Sequence, residues 1–310
     1  MSGKPLTFLI YFNTAIAPLK DVRLQLWNDY AAAGAKHIVL SDELLRLFSG
    51  FGKYVPEIRA EVEAAGLKFL DAHAPFGPWD NYCLPDEAAR PAMIARQKLA
   101  LQLCADFDVH TITAHVGGRP LIFAEYTVEQ IVECTIRTLD ELLPVAEKLD
   151  VTIGIENSTN PLSSPEQLLA IVRHFNSPHL GICYDAGHAN QMARPIDDPE
   201  APVVKTFANH GIDSPQWDDQ ILEKMLPEVV ICHLHDNDGI VDQHRLPGLG
   251  NVDWRRIMPL LLEKASRLQC IQDEAYPHSC GYFSAAENVR IFTDLVNGIF
   301  PQPIVTDPGR

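Results

Sequence analysis

The stretch VVICHLHDNDGIVDQHRLPGLGNVDW, residues 229–254, sets the fold problem. An apolar run from Val229 to Cys232 is followed at once by His233, His235, Asp236, Asn237 and Asp238. Asp242 and His244 come next, then a turn built on Pro247, Gly248 and Gly250, and Trp254 opens a new amphipathic segment. A hydrophobic strand that breaks off in imidazoles and carboxylates has the character of an active-site rim. Whether other strands end the same way decides what surrounds it.

They do. Apolar, β-rich runs recur about every 30–40 residues, with helical patterns between them. The strands are predicted at Leu6–Phe12, His37–Leu40, Lys68–His73, Val109–His115, Val151–Glu156, Leu180–Asp185, Val229–His233 and Cys270–Glu274. Between them, 124–149 carries apolar residues at three- and four-residue spacing, and Ser164-Pro165-Glu166 starts a helix over 164–175. Asp253 or Asn251 is placed to cap the segment that begins near Trp254. Eight β/α units predict a single TIM (β/α)8 barrel over 1–300, followed by a polar tail, 301–310. The competing architecture is a doubly wound open sheet, which gives no reason for nearly every strand to end in polar residues. The longest irregular stretch, 189–222, follows the sixth strand, where a loop or short-helix insert can shape a pocket.

Composition narrows the function classes. The chain of 310 residues is 46% hydrophobic, enough for a sizeable core, and carries a formal charge of −16 with no Lys/Arg run. Such a charge repels polyanions, so a nucleic-acid partner is not expected. Seven scattered cysteines form no CxxC pair and suit a reducing compartment. The N-terminal apolar run is too short for a signal peptide, and no run approaches the ~20 residues of a membrane span. The expectation is a cytoplasmic enzyme with a small-molecule substrate and no membrane partner, with a homo-oligomer left open.

In a barrel, all the strand ends converge on one face. His73, His115, Glu156, Asp185 with His188, His233 with Asp242 and His244, and Glu274 would then share one pocket. Four carboxylates and five imidazoles so crowded need protons or metal ions to neutralise them. Mixed His, Asp and Glu donors without Cys suit Zn, Mn, Co, Fe or Mg, with imidazole pulling away from Mg. Taken singly, each residue has a duller reading. A lone strand-end His is more often a hydrogen-bonded structural group, and Asp185 could simply cap a turn. Glu156 behind VTIGI and Glu274 behind CIQD resist that reading, because a carboxylate after an apolar run is costly unpaired. Six successive strands ending this way carry the argument. His37, His110, His174, His179, His210 and His278 show no such pattern, with His210 the nearest to an exception because it lies in the insert. Trp79, Phe76 and Trp217 could wall the pocket, although a loop aromatic is as often plain packing. Gly117, Gly118 and Arg119 could contact an anion, although Gly-Gly after a strand is more often a turn.

On these motifs, over residues 6–298, the chain resembles the xylose isomerase-like TIM barrels, which include sugar and sugar-phosphate isomerases and epimerases, inosose dehydratases and endonuclease IV. The resemblance to the single-metal epimerases implies a divalent metal ion held by Glu156, Asp185, His233 and Glu274, and substrate contact by His188. The turn Pro247, Gly248 and Gly250, with Trp254 beyond it, also matches. The implied activity is isomerisation or epimerisation of a sugar, sugar phosphate or related polyol through a metal-stabilised enediolate. Glu156 and Glu274 would be its catalytic pair, and His73, His115, His188, Asp242 and His244 would bind substrate or additional metal. Where several epimerases place an Arg four residues before the turn Gly, this chain has His244, with Arg245 adjacent. The resemblance to endonuclease IV implies a second possibility, a phosphodiester hydrolase whose zinc ions, up to three, use all nine donors. The acidic charge and the lack of basic loops weigh against it. A dehydratase of the inosose type would use nearly the same site.

Overall fold

The computed structural model describes residues 4–10, 16–117, 126–277 and 282–301. Eight parallel strands close into a barrel in sequence order: β1 (Leu6–Phe8), β2 (His37–Leu40), β3 (Lys68–His73), β4 (Thr111–Ala114), β5 (Thr152–Glu156), β6 (Leu180–Asp185), β7 (Val229–Leu234) and β8 (Cys270–Asp273). The ring is closed by β1 against β8, pairing Leu6 with Ile271 and Phe8 with Asp273. That closure excludes the open sheet. Every residue of β4, β5, β6 and β7 is buried, as expected for parallel strands covered on both sides.

Helices follow the strands around the outside. They are α1 (Lys20–Ala32), α2 (Asp42–Gly50), α3 (Tyr54–Ala64), α4 (Arg90–Asp106), α5 (Val128–Leu149), α6 (Pro165–Phe175), α7 (Ala186–Met192), α8 (Pro202–Asn209), α9 (Ile221–Met225), α10 (Trp254–Lys264) and α11 (Ala285–Val296). Their starts obey local chemistry. Thr127 and Gln130 form a reciprocal capping box at α5, Ser164 caps α6 with Pro165 in the first turn, and Asp253 accepts from the Arg256 N–H at α10. Asp253, rather than Asn251, is therefore the cap. The insert 189–222 takes the short-helix form of the two its sequence allowed, holding the end of α7, all of α8 and the start of α9.

The first strand is shorter than its sequence pattern. Its ladder ends at Phe8, where the paired strand β8 also ends, and Leu9 and Ile10 continue outside the ladder. Residues 11 and 12 of the expected strand lie outside the described residues, as do 124 and 125 of the expected helix, Gly118, Arg119, His278 and 302–310 of the tail.

The segment after β7 is held by one carboxylate. Fully buried Asp236 accepts from the N–H groups of Asn237, Gly248 and Val252 and from the Trp254 indole N–H, at 2.7–3.0 Å. Its own backbone exchanges two hydrogen bonds with Arg245, at 2.7 and 2.8 Å. Asp242 and His244 ride on the loop this anchor closes.

Candidate active site

Strand register brings the donors together before any side chain is considered. Asp185 on β6 pairs with His233 on β7, Glu156 on β5 pairs with Cys183, and His233 pairs with Gln272 on β8, two residues before Glu274. At the strand ends, one oxygen or nitrogen each of Glu156, Asp185, His233 and Glu274 lie within 4.8 Å of one another. All four residues are buried. Thr113 holds the His233 ring by Nε2, at 3.1 Å, which leaves Nδ1 3.3 Å from Glu274 Oε2 and 3.6 Å from Glu156 Oε1.

Among the described residues four further groups overlap or adjoin this one, two of them made by adding His73 or Cys183 to its own members. His73, His115 and Glu156 form a second, with His115 Nε2 2.9 Å and His73 Nε2 3.9 Å from Glu156 Oε2. His188, His235, Asp242 and His244 form a third, with both His188 and His244 Nε2 close to Asp242 Oδ2, at 3.3 and 3.2 Å. Asp185 links the third group to the first. It caps α7 by accepting from the His188 N–H at 2.6 Å, and its other oxygen lies 3.2 Å from His235 Nε2. Asn157 braces the same place, donating to the Asp185 carbonyl and accepting from the Asp185 N–H, at 3.0 and 2.8 Å.

The charges are mutually stabilised. Burial alone would raise the Glu156 pKa, but the His115 and His233 imidazoles hold it well below the usual carboxylate range. Glu274 is likewise lowered, against burial, by His233 and His244. Burial opposes charge on His188, yet Asp185 and Asp242 raise it well above an ordinary imidazole, and His244, bonded to Asp242, rises to about 9. His73 moves the other way: burial, then the neighbouring His115, lowers it.

His73, His115, Glu156, His188, Asp242, His244 and Glu274 line a cavity of about 530 Å3, while Asp185, His233 and His235 are fully buried and do not line it. Its wall includes Leu9, Phe76, Gln272 and Tyr276, and Ser41, Asp42 and Glu43 from the end of β2. The sequence pattern passed over the β2 end. It also left His235 out of the donor set, although strand alternation places it on the same side as His233, two residues earlier. Gly187 makes room for that ring, since a Cβ there would stand 2.0 Å from His235 Cε1. Of the three aromatics expected at the pocket, Phe76 lines it. Trp79 does not, and is 52% exposed on the loop beyond, where the backbone turns away through Gly77. Trp217 and His210 line a neighbouring cleft instead, because the insert packs over the β5 and β6 loops.

A parallel barrel whose strand ends carry overlapping sets of carboxylate and imidazole donors defines a class, and comparison with known proteins names the family. The model described as "Xylose isomerase-like TIM barrel" matches residues 27–271, and the chain belongs to that family. A curated relative, the uncharacterized protein MJ1311 of Methanocaldococcus jannaschii, is 29% identical over 215 residues, 68% of this chain and 64% of that protein. The chain thus spans a little under two thirds of that relative's length. Among solved structures, a D-tagatose 3-epimerase-like protein superposes with a TM-score of 0.68 at 20% identity, covering 96% of this chain and 98% of its own. The 3-keto-D-glucoside 4-epimerase YcjR from E. coli gives 0.67 at 14% identity, covering 95% and 99%. The IOLI protein with a bound zinc atom gives 0.63 at 17%, covering 96% and 100%. At these identities the likeness is one of fold. Among the described residues, no helix is long and apolar enough to cross a membrane.

Proposed function

We propose that the protein is a divalent-metal-dependent isomerase or epimerase acting on a sugar or related polyol, with the ion held by Glu156, Asp185, His233 and Glu274. The observation that carries this reading is a set of orphaned donors. Glu156 Oε2, His233 Nδ1 and Glu274 Oε2 are buried, make no well-formed hydrogen bond beyond their ion-pair contacts with one another and with His115, and all belong to the group Glu156/Asp185/His233/Glu274. Orphaned buried polar atoms are costly, and a cation is the partner that suits all three. When bound, the ion would supply Lewis acidity, polarising a sugar carbonyl and a neighbouring hydroxyl.

The chain's own groups supply the proton chemistry. Glu156 and Glu274 are held ionised by the surrounding imidazoles, so each is ready to accept a proton from a carbon next to a carbonyl. They rise from β5 and β8, three strands apart around the mouth, which lets one carboxylate remove the proton and the other return it. His188 donates Nδ1–H to the Asn157 carbonyl at 3.0 Å, and this fixes the ring so that Nε2 faces Asp242 and the cavity. Phe76 and Tyr276 add aromatic surface to the cavity wall. The sugar-active names among the solved barrels, D-tagatose 3-epimerase-like and 3-keto-D-glucoside 4-epimerase, support a carbohydrate substrate.

The test is solvent exchange. The manganese-loaded protein is incubated in deuterated water with ketohexoses and 3-keto-glucosides and followed by NMR. Incorporation of deuterium at a carbon adjacent to the carbonyl is expected, and Glu274→Gln should slow it by about 100-fold or more. Exchange at the wild-type rate in Glu274→Gln would remove Glu274 from the chemistry.

A second reading, a phosphodiester hydrolase with more than one metal ion, is favoured by one observation: the donor groups His73/His115/Glu156 and His188/His235/Asp242/His244 are also assembled. The net charge of −16 opposes a DNA substrate. Turnover of abasic-site DNA, with three zinc ions per chain, would establish that reading in place of the first.

A further inference from the structure

A second cavity, of about 900 Å3, adjoins the donor site. Two links fix the adjacency. Glu156 lines the first cavity and the next residue, Asn157, lines the second. His188 lines the first and Met192 the second, and they lie one turn apart on the same side of α7, about 6 Å along the helix.

The two cavities differ in chemistry. The donor site is lined mainly by carboxylates and imidazoles, with Leu9, Phe76 and Tyr276 beside them. The second offers Tyr126, Phe207, Trp217 and Met192 as apolar and aromatic surface, all packed on the hydrophobic core, opposite a polar lining that includes Thr127, Ser158, Asn160 and Gln216. Among its described lining residues the only lysine or arginine is Lys224, and that ammonium is engaged by Asp218 at 2.6 Å and Glu166 at 3.0 Å. The donor cavity has neither lysine nor arginine among its described lining residues. Among the described lining residues a phosphate on the substrate therefore finds no free lysine or arginine in either place, whereas an uncharged apolar or aromatic group finds a matching wall in the second.

We propose that the second cavity receives an uncharged aromatic or apolar group attached to the sugar, so that the substrate is a glycoside or comparable conjugate of a sugar that keeps a keto group for the proton chemistry above, and not a free sugar or sugar phosphate. This rests on the carbohydrate reading above. The sugar occupies the donor cavity, and the appended group crosses the Asn157–Met192 border into the cleft under the insert. The insert thereby sets specificity, with Trp217 as its main contact.

The test uses the full chain loaded with manganese. It is titrated calorimetrically with methyl and 4-nitrophenyl glycosides of D-glucose, D-galactose and D-xylose, and with glucose and glucose 6-phosphate. For whichever sugar binds, the 4-nitrophenyl glycoside is expected to bind at least about tenfold tighter than the methyl glycoside, and glucose 6-phosphate no tighter than glucose. Trp217→Ala should bring the aryl-to-methyl ratio towards one, and Trp217→Phe should keep most of it. Saturation-transfer NMR on the unaltered protein reads the same point without a variant, because the aryl protons must be saturated at least as strongly as the sugar protons. Equal affinity for methyl and aryl glycosides, or a clear preference for the phosphate, overturns this inference and leaves the carbohydrate reading intact. Failure of every sugar to bind overturns both.

Discussion

Glu43, at the cavity edge, carries a carboxyl that burial and the neighbouring Asp42 raise from the ordinary 4.5 to about 8. The folded chain therefore holds this proton more tightly than the unfolded chain. By linkage, stability is lost as pH rises from about 4.5 to about 8, where the folded state must pay to ionise a group the unfolded state ionises freely. Glu43→Gln, which keeps the volume and removes the charge, should be more stable than wild type above pH 8, by about 1–3 kcal/mol, with the difference vanishing near pH 4. Melts across that range check it, and a difference independent of pH would contradict it. At Gly187 the constraint is steric. A methyl group there meets the His235 ring, so Gly187→Ala should cost about 1–3 kcal/mol, and Gly187→Ala/His235→Ala should recover part of that loss in a double-mutant cycle. Simple additivity would show that the contact is not the cause. His235 itself was legible in the chain, since His-Leu-His at a strand end puts both rings on one side. Glu43 was not, because Ser41-Asp42-Glu43 reads equally well as a helix start, and Ser41 does cap α2 by accepting from the Leu44 N–H.

At the scale of elements, the loop from β7 to α10 depends on Asp236. Removing its carboxylate orphans the Gly248 and Val252 N–H groups and the Trp254 indole together. Asp236→Ala should lower stability by about 2–4 kcal/mol in urea unfolding and release Asp242 and His244 from the third donor group, with Asp236→Asn intermediate. An unchanged midpoint would remove the anchor from the account. Strands were readable wherever a short apolar run ended in a polar residue, and β2, β3 and β6 have the limits their sequences indicate. The first strand was overrun because Leu9 and Ile10 continue its apolar pattern, while its length is set by pairing with β8, a partner more than 260 residues away. The short helix α8 was hidden in the insert, since Pro202 marks a helix start only when the turn before it is known.

Across the whole molecule, convergence does the work that no local pattern can. Donors from β3 to β8 and the loops beyond them span 202 positions in the chain, from His73 to Glu274, and meet because the barrel closes. The eightfold alternation made the barrel legible, and the barrel made the donor set legible. What remained hidden was the division of space above the donors. Trp79 and Trp217 look alike in sequence, yet one projects outside the cavity and the other lines a separate cleft, because loop placement depends on packing between distant segments. The central claim is that a cation sits among Glu156, Asp185, His233 and Glu274. Anomalous diffraction at the manganese edge, from crystals of the metal-loaded protein, tests it most directly. A peak bonded to all four side chains, and its loss in Asp185→Ala, is the expected result; a map with no peak there, even if manganese binds elsewhere, would contradict a cation at this place.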